Sequence, residues 1–229
     1  MENQDTHNPA KTTNTAPIDA GVIHFNQPEL TGPGGYPTDI SERLLRTFLT
    51  DIEDIGNSGG GFIPLEGMSD EGRNTVLTAE NEIRFAAREH ARIFTPFGLE
   101  VFRKSGTPEH VPVDARKLQG NIATHNHPLS TPPSLRDLVT GVLHHALEIR
   151  VCSPEFTYSV RFTGAVAGDI VNGWRLLDPL SYVAGQEWLR SQKEPVTPEI
   201  LASRRLHAAL MELARRELIL YHREANVPL

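Results

Sequence analysis

The apolar residues of this chain change their spacing along its length, and these changes predict where helices and strands lie. Near the N-terminus they recur at three- and four-residue intervals, which is the spacing of an amphipathic helix. The residues of this pattern are Ile40, Leu44, Leu45, Phe48, Leu49, Ile52 and Ile55. The glycine-rich stretch 56–61 then interrupts the pattern and predicts a flexible connector. A second helix is predicted at residues 74–88.

Shorter segments rich in β-branched and aromatic residues follow, and they predict strands. These segments are residues 90–94, 99–102, 111–113, 121–124, 148–152 and 157–162. The first two flank a turn that contains Pro96 and Gly98, so they are predicted to form a hairpin. One helix, from Leu135 to about Leu147 with Ser134 as its N-cap, separates the later strands. This succession predicts a mixed α/β core.

The pattern becomes helical again from about Asp169 to the C-terminus. Thr197-Pro198-Glu199 combines an N-cap residue, a proline at the first helical position and an acid in the first turn. Leu206, Leu210 and Leu213 continue one apolar face along the long helix that follows. Its arginines alternate with glutamates, which is typical of a solvated helix surface rather than of a polyanion-binding site.

Residues 1–36 are rich in asparagine, threonine, proline and glycine and have no periodicity, which predicts a flexible arm. A tail that binds a partner is the alternative. The patterns thus divide the chain into this arm, an N-terminal helix with its glycine-rich connector at 37–73, an α/β domain at 74–175, and a C-terminal helical extension at 176–229.

Composition narrows the class of protein. The chain has 229 residues and a net charge of −7, which speaks against a general affinity for nucleic acid. No apolar run approaches the roughly 20 residues of a membrane span, and the N-terminus has no signal-peptide pattern. Cys152 is the only cysteine, so an intrachain disulfide is excluded and a cytoplasmic location is expected. A zinc site would therefore need histidine and carboxylate ligands.

One stretch carries the candidate chemistry: Thr124-His125-Asn126-His127-Pro128, followed by Ser134 and Asp137. Residues two apart on a strand point to the same side, so both histidines can reach one ion. Asp137 follows His127 by ten residues and a proline-rich turn, and it offers a third ligand. Three protein ligands and one open position are the arrangement of a catalytic zinc.

The spacing His125-x-His127, then six residues, then Ser134-x-x-Asp137 resembles the metal signature of the JAMM (MPN+, JAB) metalloprotease superfamily. The His-Asn-His-Pro form also resembles RadC-like proteins and JAB domains of phage-associated proteins. The family usually has seven residues between the second histidine and the serine, so this loop is one shorter. The resemblance implies a JAB/MPN-like curved mixed sheet flanked by helices at 74–175, related in layout to the cytidine deaminases. It implies that His125, His127 and Asp137 bind zinc and that Ser134 stabilises the oxyanion.

The same resemblance calls for an upstream glutamate that activates the zinc-bound water. Glu89, just before the first predicted strand, is the favoured candidate. Glu82 falls within a predicted helix and Glu100 within the next strand, so both are weaker alternatives.

Simpler interpretations exist for parts of this pattern. Ser134-x-x-Asp137 alone fits a helix cap, and most isolated His-x-His pairs bind nothing. His144 and His145 lie two turns beyond Asp137 and are expected to be helix-surface or packing residues rather than ligands, and His110 is expected in a loop. The His-Asn-His string does not fit an HNH nuclease, whose functional residues are spread over a longer unit.

The sequence therefore favours a zinc metalloprotease that cleaves a peptide or isopeptide bond in a protein substrate, for example a ubiquitin-like or phage-associated protein. One alternative is a JAB-fold binding or scaffold module without catalysis. Another is a RadC-like protein associated with DNA, although the net acidity and the lack of a basic stripe weigh against a nucleic-acid partner.

Overall fold

Five α-helices and seven strands make up the part of the chain that the computed structural model describes, which is residues 38–226 apart from 55 and 57. The helices are α1 (Thr38–Glu53), α2 (Asp70–Ile83), α3 (Leu135–Leu143), α4 (Ala167–Ser191) and α5 (Pro198–Arg215). The strands are β1 (Ser58–Gly60), β2 (His90–Phe94), β3 (Glu100–Ser105), β4 (Ile122–Asn126), β5 (Glu148–Cys152), β6 (Phe156–Phe162) and β7 (Ile219–Ala225). The arm predicted at 1–36 lies outside the described residues. Among the described helices, none combines the length and apolar character that a bilayer crossing requires.

The strands form one mixed sheet in the order β1-β7-β6-β5-β4-β2-β3. Strands β4 and β5 run parallel and are joined through α3, whereas all other neighbours are antiparallel. A parallel pair needs a crossover connection, and α3 provides it. The prediction of a mixed α/β core is confirmed.

The two faces of the sheet are covered by different helices. Ile122 packs with Val76 of α2 and Phe94 of β2, whereas the next residue, Ala123, belongs to a cluster on the other face with Ile149. This alternation follows from the two-residue period of a strand. On the face of Ala123, the largest core cluster joins β5, β6 and β7 to α1, α4 and α5. His125 shares that face, opposite α2.

A buried ion-pair network fixes α2 to the central strands. Arg150 of β5 donates from Nε to Glu80 of α2 at 2.6 Å and from Nη1 to Glu148 at 3.0 Å. Thr124 of β4 donates to the same Glu80 carboxylate at 3.0 Å. These charges are almost completely buried, and removing one partner of such a pair costs about 3–5 kcal/mol. The network therefore holds α2, β4 and β5 in a fixed relation beneath the candidate site.

The glycine-rich connector is not only a linker, because it contains β1, which pairs with β7 at the edge of the sheet. Gly59 has φ +90°, and a Cβ atom there would lie 2.0 Å from the carbonyl oxygen of Tyr221. Such close backbone approach needs glycine. The glycines that predicted a break in the chain therefore also permit an edge strand.

The prediction of an entirely helical C-terminal segment is wrong at its end. Residues 219–225 form β7, which pairs with β6 over its whole length, so the extension supplies a strand to the sheet of the central domain. Ile219, Tyr221 and Arg223 point inward and are buried, while the residues between them are more exposed. A strand this rich in charged residues gives only a weak apolar alternation, which explains why it was missed.

Three smaller predictions also need correction. Residues 111–113 form no strand, because Pro112 lies in the middle of the segment and has no backbone N–H to donate. Helix α2 begins earlier than predicted, because the Ser69 side chain caps it by accepting from the Gly72 amide at 3.1 Å. It also ends earlier, at Ile83 rather than at residue 88. Helix α3 ends at Leu143, before the predicted Leu147.

Candidate metal centre

The C-terminal end of β4 and the first turn of α3 bring three potential ligands together. His125 lies in β4, His127 follows its last residue, and Asp137 is in the first turn of α3. The Nε2 atoms of the two histidines are 3.0 Å apart. Asp137 Oδ1 lies 3.5 Å from His125 Nε2, and Asp137 Oδ2 lies 3.9 Å from His127 Nε2. One atom from each residue lies within 4.8 Å of the others.

The loop between β4 and α3 orients the ring of His127. Its Nδ1 lies 2.9 Å from the carbonyl oxygen of Thr131 and 3.0 Å from the Thr131 hydroxyl. A carbonyl can only accept, so Nδ1 carries the hydrogen and Nε2 presents a lone pair toward His125 and Asp137. Burial and the neighbouring His125 lower the pKa of His127 to about 4, so the ring is neutral at physiological pH. A metal-binding histidine commonly has this second hydrogen bond and this tautomer.

Asp137 has two roles in this geometry. Its Oδ2 accepts from the Ser134 amide and the Ser134 hydroxyl, both at 2.7 Å, and the Asp137 amide donates back to the hydroxyl at 3.3 Å. This reciprocal arrangement is a capping box at the start of α3. Burial opposes its ionisation, but the two histidines and Ser134 hold the pKa of Asp137 well below its ordinary value. The cap therefore fixes an ionised carboxylate beside both imidazoles.

Glu89 is the glutamate that the fold brings to this group. It precedes β2, is buried, and its Oε1 lies 4.0 Å from His127 Nε2. Its carboxylate accepts a hydrogen bond from the Val111 amide, and burial followed by the charge of Asp137 raises its pKa although His125 opposes the shift. Glu82 and Glu100 lie on the α2 side of the sheet, where both pair with Arg92.

The donor set fits a small divalent metal ion. Zinc bonds to imidazole nitrogen at about 2.0–2.1 Å, which places the ligand atoms of a tetrahedral site about 3.4 Å apart. The two histidine nitrogens are 3.0 Å apart, and with one oxygen taken from Asp137 the three donor atoms lie within 4.8 Å of one another. Two imidazoles and one ionised carboxylate make three ligands, which leaves one position of a tetrahedral site open for a further ligand. This group could hold a metal ion.

A cavity of about 490 Å³ opens next to these residues. His125, His127, Asp137 and Glu89 line one part of it, and the segment 108–113, Leu129 and Arg136 line other parts. His110 belongs to this lining, so the histidine expected in a loop lies beside the cavity. A substrate group can thus reach the proposed ligands from outside.

His144 and His145 lie away from the candidate ligands and outside the cavity lining. His144 caps the C-terminal end of α3, and His145 is exposed with φ 52°.

Sequence reasoning missed three contributions to this centre. Thr131 orients His127, the segment 106–111 covers Glu89, and Asn126 contacts the backbone around Glu89. The sequence did contain a signal for Asn126. It lies between two strand residues that point to one face, so its amide points to the opposite face. No family model, no curated protein and no solved structure matches this chain.

Proposed function

We propose that this chain is a zinc-dependent peptidase of the JAMM type that hydrolyses a peptide or isopeptide bond. The observation that carries the proposal is the convergence of His125, His127 and Asp137 beside the buried carboxylate of Glu89. Three protein ligands with an open position and an adjacent proton acceptor are what metal-assisted hydrolysis requires.

Zinc is the proposed ion because imidazole and carboxylate donors in a four-coordinate arrangement suit it. When bound, the ion supplies a Lewis acid that polarises the scissile carbonyl and lowers the pKa of water. The protein's contribution is to hold the donors. The Thr131 carbonyl fixes the His127 tautomer, and the Ser134 amide and hydroxyl fix the Asp137 carboxylate.

Glu89 is proposed as the general base and later the general acid. Its carboxylate accepts a proton from the attacking water and returns it to the amine that leaves. A raised pKa suits this role, because the group must both take and give the proton near neutral pH. Burial is the largest cause of the shift, and the carboxylate still lines the cavity through which a substrate can reach it.

Ser134 is proposed to stabilise the oxyanion of the tetrahedral intermediate. It lines the cavity, but its hydroxyl donates to Asp137 in this structure. The Ser134 amide also bonds the same carboxylate oxygen, so the hydroxyl can rotate toward a substrate oxygen while the cap is retained. A hydrogen bond made only in the transition state lowers the barrier more than one made throughout.

The proposed substrate is a protein, such as a ubiquitin-like or phage-associated protein, and the proposed location is the cytoplasm. A JAB-fold scaffold without catalysis is the second candidate, because the Ser134–Asp137 capping box begins α3 whether or not a metal ion is bound. A RadC-like role at DNA has no supporting observation beyond the His-Asn-His-Pro string.

Metal analysis and peptide hydrolysis together test the proposal. Purified protein should contain about one zinc per chain, because three donors define one site. His125→Ala should lose the zinc, whereas His144→Ala, a histidine outside the ligand group, should keep it. Equal zinc contents in these two variants would contradict the ligand assignment.

Hydrolysis is measured by mass spectrometry on a mixture of peptides and on ubiquitin-like fusions. Glu89→Gln should keep the zinc and lose activity by about 10²–10⁴-fold. Glu82→Gln, the matched control on the other face of the sheet, should stay active. A zinc-loaded wild-type protein that cleaves nothing in either set would favour the scaffold alternative.

A further inference from the structure

We propose that Asn126 is a positioning residue that holds the backbone of Glu89 in the place where its carboxylate can act. The inference rests on the proposed function, because it assigns Glu89 the role of proton acceptor. It adds a role for the residue between the two histidine ligands, whose side chain points away from them.

The contacts of Asn126 are directed entirely at the segment that carries Glu89. Its Oδ1 accepts from the His90 amide at 2.7 Å. Its Nδ2 donates to the carbonyl oxygens of Ala86 at 3.2 Å and Arg88 at 3.0 Å. The side chain is completely buried. An asparagine side chain can donate two hydrogen bonds and accept others, and all three bonds that Asn126 makes here end on residues 86–90.

These bonds hold a segment that belongs to no helix or strand. Helix α2 ends at Ile83 and β2 begins at His90, so residues 86–89 lie in neither element. The sheet pairing of β2 with β4 reaches Ala91 and His125 and stops there. Asn126 continues the contact between the two strands with its side chain. Without it, the His90 amide and the carbonyl groups of Ala86 and Arg88 would lose these partners, and a backbone group that is shielded from water without a partner is costly.

Glu89 is held from its other side by a different segment. Its amide donates to the Thr107 carbonyl and its carbonyl accepts from the Gly106 amide, both at 2.8 Å. The Glu89 backbone therefore lies between Asn126 on one flank and residues 106–107 on the other. The side chain leaves this clamp toward the face of His125 and His127, where Oε1 lies 4.0 Å from His127 Nε2.

The same strand thus places the ligands and the proton acceptor. His125 and His127 point to one face, and Asn126, one residue from each, points to the other and fixes Glu89. A displacement of a catalytic group by about 1 Å can lower a rate by about 10². Loss of Asn126 should therefore lower turnover without removing a metal ligand.

A double-mutant cycle on the zinc-loaded full chain separates positioning from general stability. Asn126→Ala should lower kcat about 100-fold with zinc content and KM unchanged. In the Glu89→Gln background the same substitution should change the remaining rate by less than about twofold, because the group it positions is already disabled. Asn126→Asp, which keeps the size and the acceptor but loses both donors, is the second variant if the alanine form does not fold.

Thr124→Val is the matched control. Thr124 lies on the same strand and the same face, is equally buried, and its hydroxyl bonds Glu80 rather than the segment of Glu89. This variant should lose stability and should change kcat by the same small factor in the wild-type and Glu89→Gln backgrounds. Asn126 variants that behave like Thr124→Val would overturn the proposal.

Amide hydrogen exchange provides a readout that does not depend on activity. In the zinc-loaded Asn126→Ala protein, the hydrogen-bonded amides of Ala86, Glu89 and His90 should exchange at least about tenfold faster, while those of β5 should not change. If wild-type protein hydrolyses nothing but this exchange pattern is seen, the proposed function fails and the holding of Glu89 by Asn126 stands. Unchanged exchange at these three amides would refute the holding itself, whatever the activity.

Discussion

At the scale of single residues, the serine of the candidate site has a structural role as the cap of α3 and is proposed to have a catalytic role as well. The Ser134 hydroxyl accepts from the Asp137 amide and donates to the Asp137 carboxylate. The cap and the metal site are therefore not competing interpretations. The same contacts that begin α3 also hold an oxygen of a candidate metal ligand in place, since Asp137 belongs to both groups.

Ser134→Ala separates the two roles. Loss of the cap should lower the free energy of unfolding by about 0.5–2 kcal/mol. Loss of an oxyanion donor should lower kcat by about 10²–10³ at constant zinc content. We expect both effects, measured by chemical denaturation and by turnover of the zinc-loaded protein. Wild-type turnover in a fully loaded variant would restrict the serine to its structural role.

A buried histidine outside the group of candidate ligands, His207, contributes to the loss of folding stability in acid. His207 is buried between α5 and the sheet, with Nδ1 2.8 Å from the Tyr221 hydroxyl and Nε2 3.3 Å from the Ser58 hydroxyl. Burial, followed by the charge of Arg223, lowers the pKa of His207 to about 3, while Asp54 opposes the shift. The folded protein therefore keeps this ring neutral in conditions where an unfolded chain would protonate it.

The consequence is a loss of stability in acid. An unfolded histidine titrates near 6.5, so above that pH neither state binds the proton and His207 contributes no pH dependence. Below pH 6.5 the unfolded state binds a proton at His207, whereas the folded state binds it only below about pH 3. At pH 5 this linkage should cost about 2 kcal/mol of unfolding free energy. His207→Gln should lose less stability than wild type between pH 7 and pH 5, and parallel curves would contradict the assignment.

At the scale of elements, the close packing of α3 on the sheet positions Asp137. A Cβ atom on Gly141 would lie 2.6 Å from the Phe162 ring and 2.8 Å from Ile149 Cγ1. The helix therefore rests on β5 and β6 at a distance that only glycine allows. Because Asp137 is one turn earlier on α3, the height of this helix above the sheet sets the distance from Asp137 to the histidines.

Gly141→Ala should push α3 away from the sheet. Overpacking of this kind costs about 1–3 kcal/mol of unfolding free energy, and zinc affinity should fall with it. Gly168→Ala in α4 is the matched control, because nothing lies within 4 Å of its added methyl group. That change should be neutral or stabilising by up to about 1 kcal/mol. Denaturation and zinc titration measure both variants, and equal zinc affinities would show that α3 does not depend on Gly141 for its position.

At the scale of the whole molecule, the C-terminal segment belongs to the main core. Residues of α5 and β7 pack in the same cluster as Val151, Tyr158 and Val160 of the central strands. β7 lies between β6 and β1, so its loss would expose one edge of β6 and leave β1 without its partner in the sheet.

Deletion from Thr197 onward should therefore abolish cooperative unfolding, since it removes a helix and an internal strand. Deletion of residues 1–36 is the control and should leave the melting temperature and zinc content unchanged, because that segment has little apolar content. Thermal unfolding followed by circular dichroism distinguishes the two. A tail-deleted protein that melts like the full chain would contradict the role given to β7.

The sequence by itself determined the features that short-range patterns encode. Helix α1, the β2–β3 hairpin, β5 and β6 follow from local periodicity, and the structure has them close to their predicted positions. The three candidate metal ligands lie within 13 residues of sequence, on one strand end and one capped helix start. Strand alternation and capping chemistry are local, so this part of the site could be predicted without the fold.

The tertiary structure alone decided which distant segments complete that site. Glu89 is far from the histidines in sequence, and the pairing of β2 with β4 together with Asn126 brings it to them. The pairing of β1 with β7 joins segments more than 150 residues apart and depends on backbone hydrogen bonds. Such bonds can form between almost any residues, so they leave little trace in composition or periodicity. The candidate metal ligands and the choice of Glu89 among the upstream glutamates were therefore readable from the sequence, whereas the approach of Glu89 to the histidines and the pairing at the edge of the sheet required the folded chain.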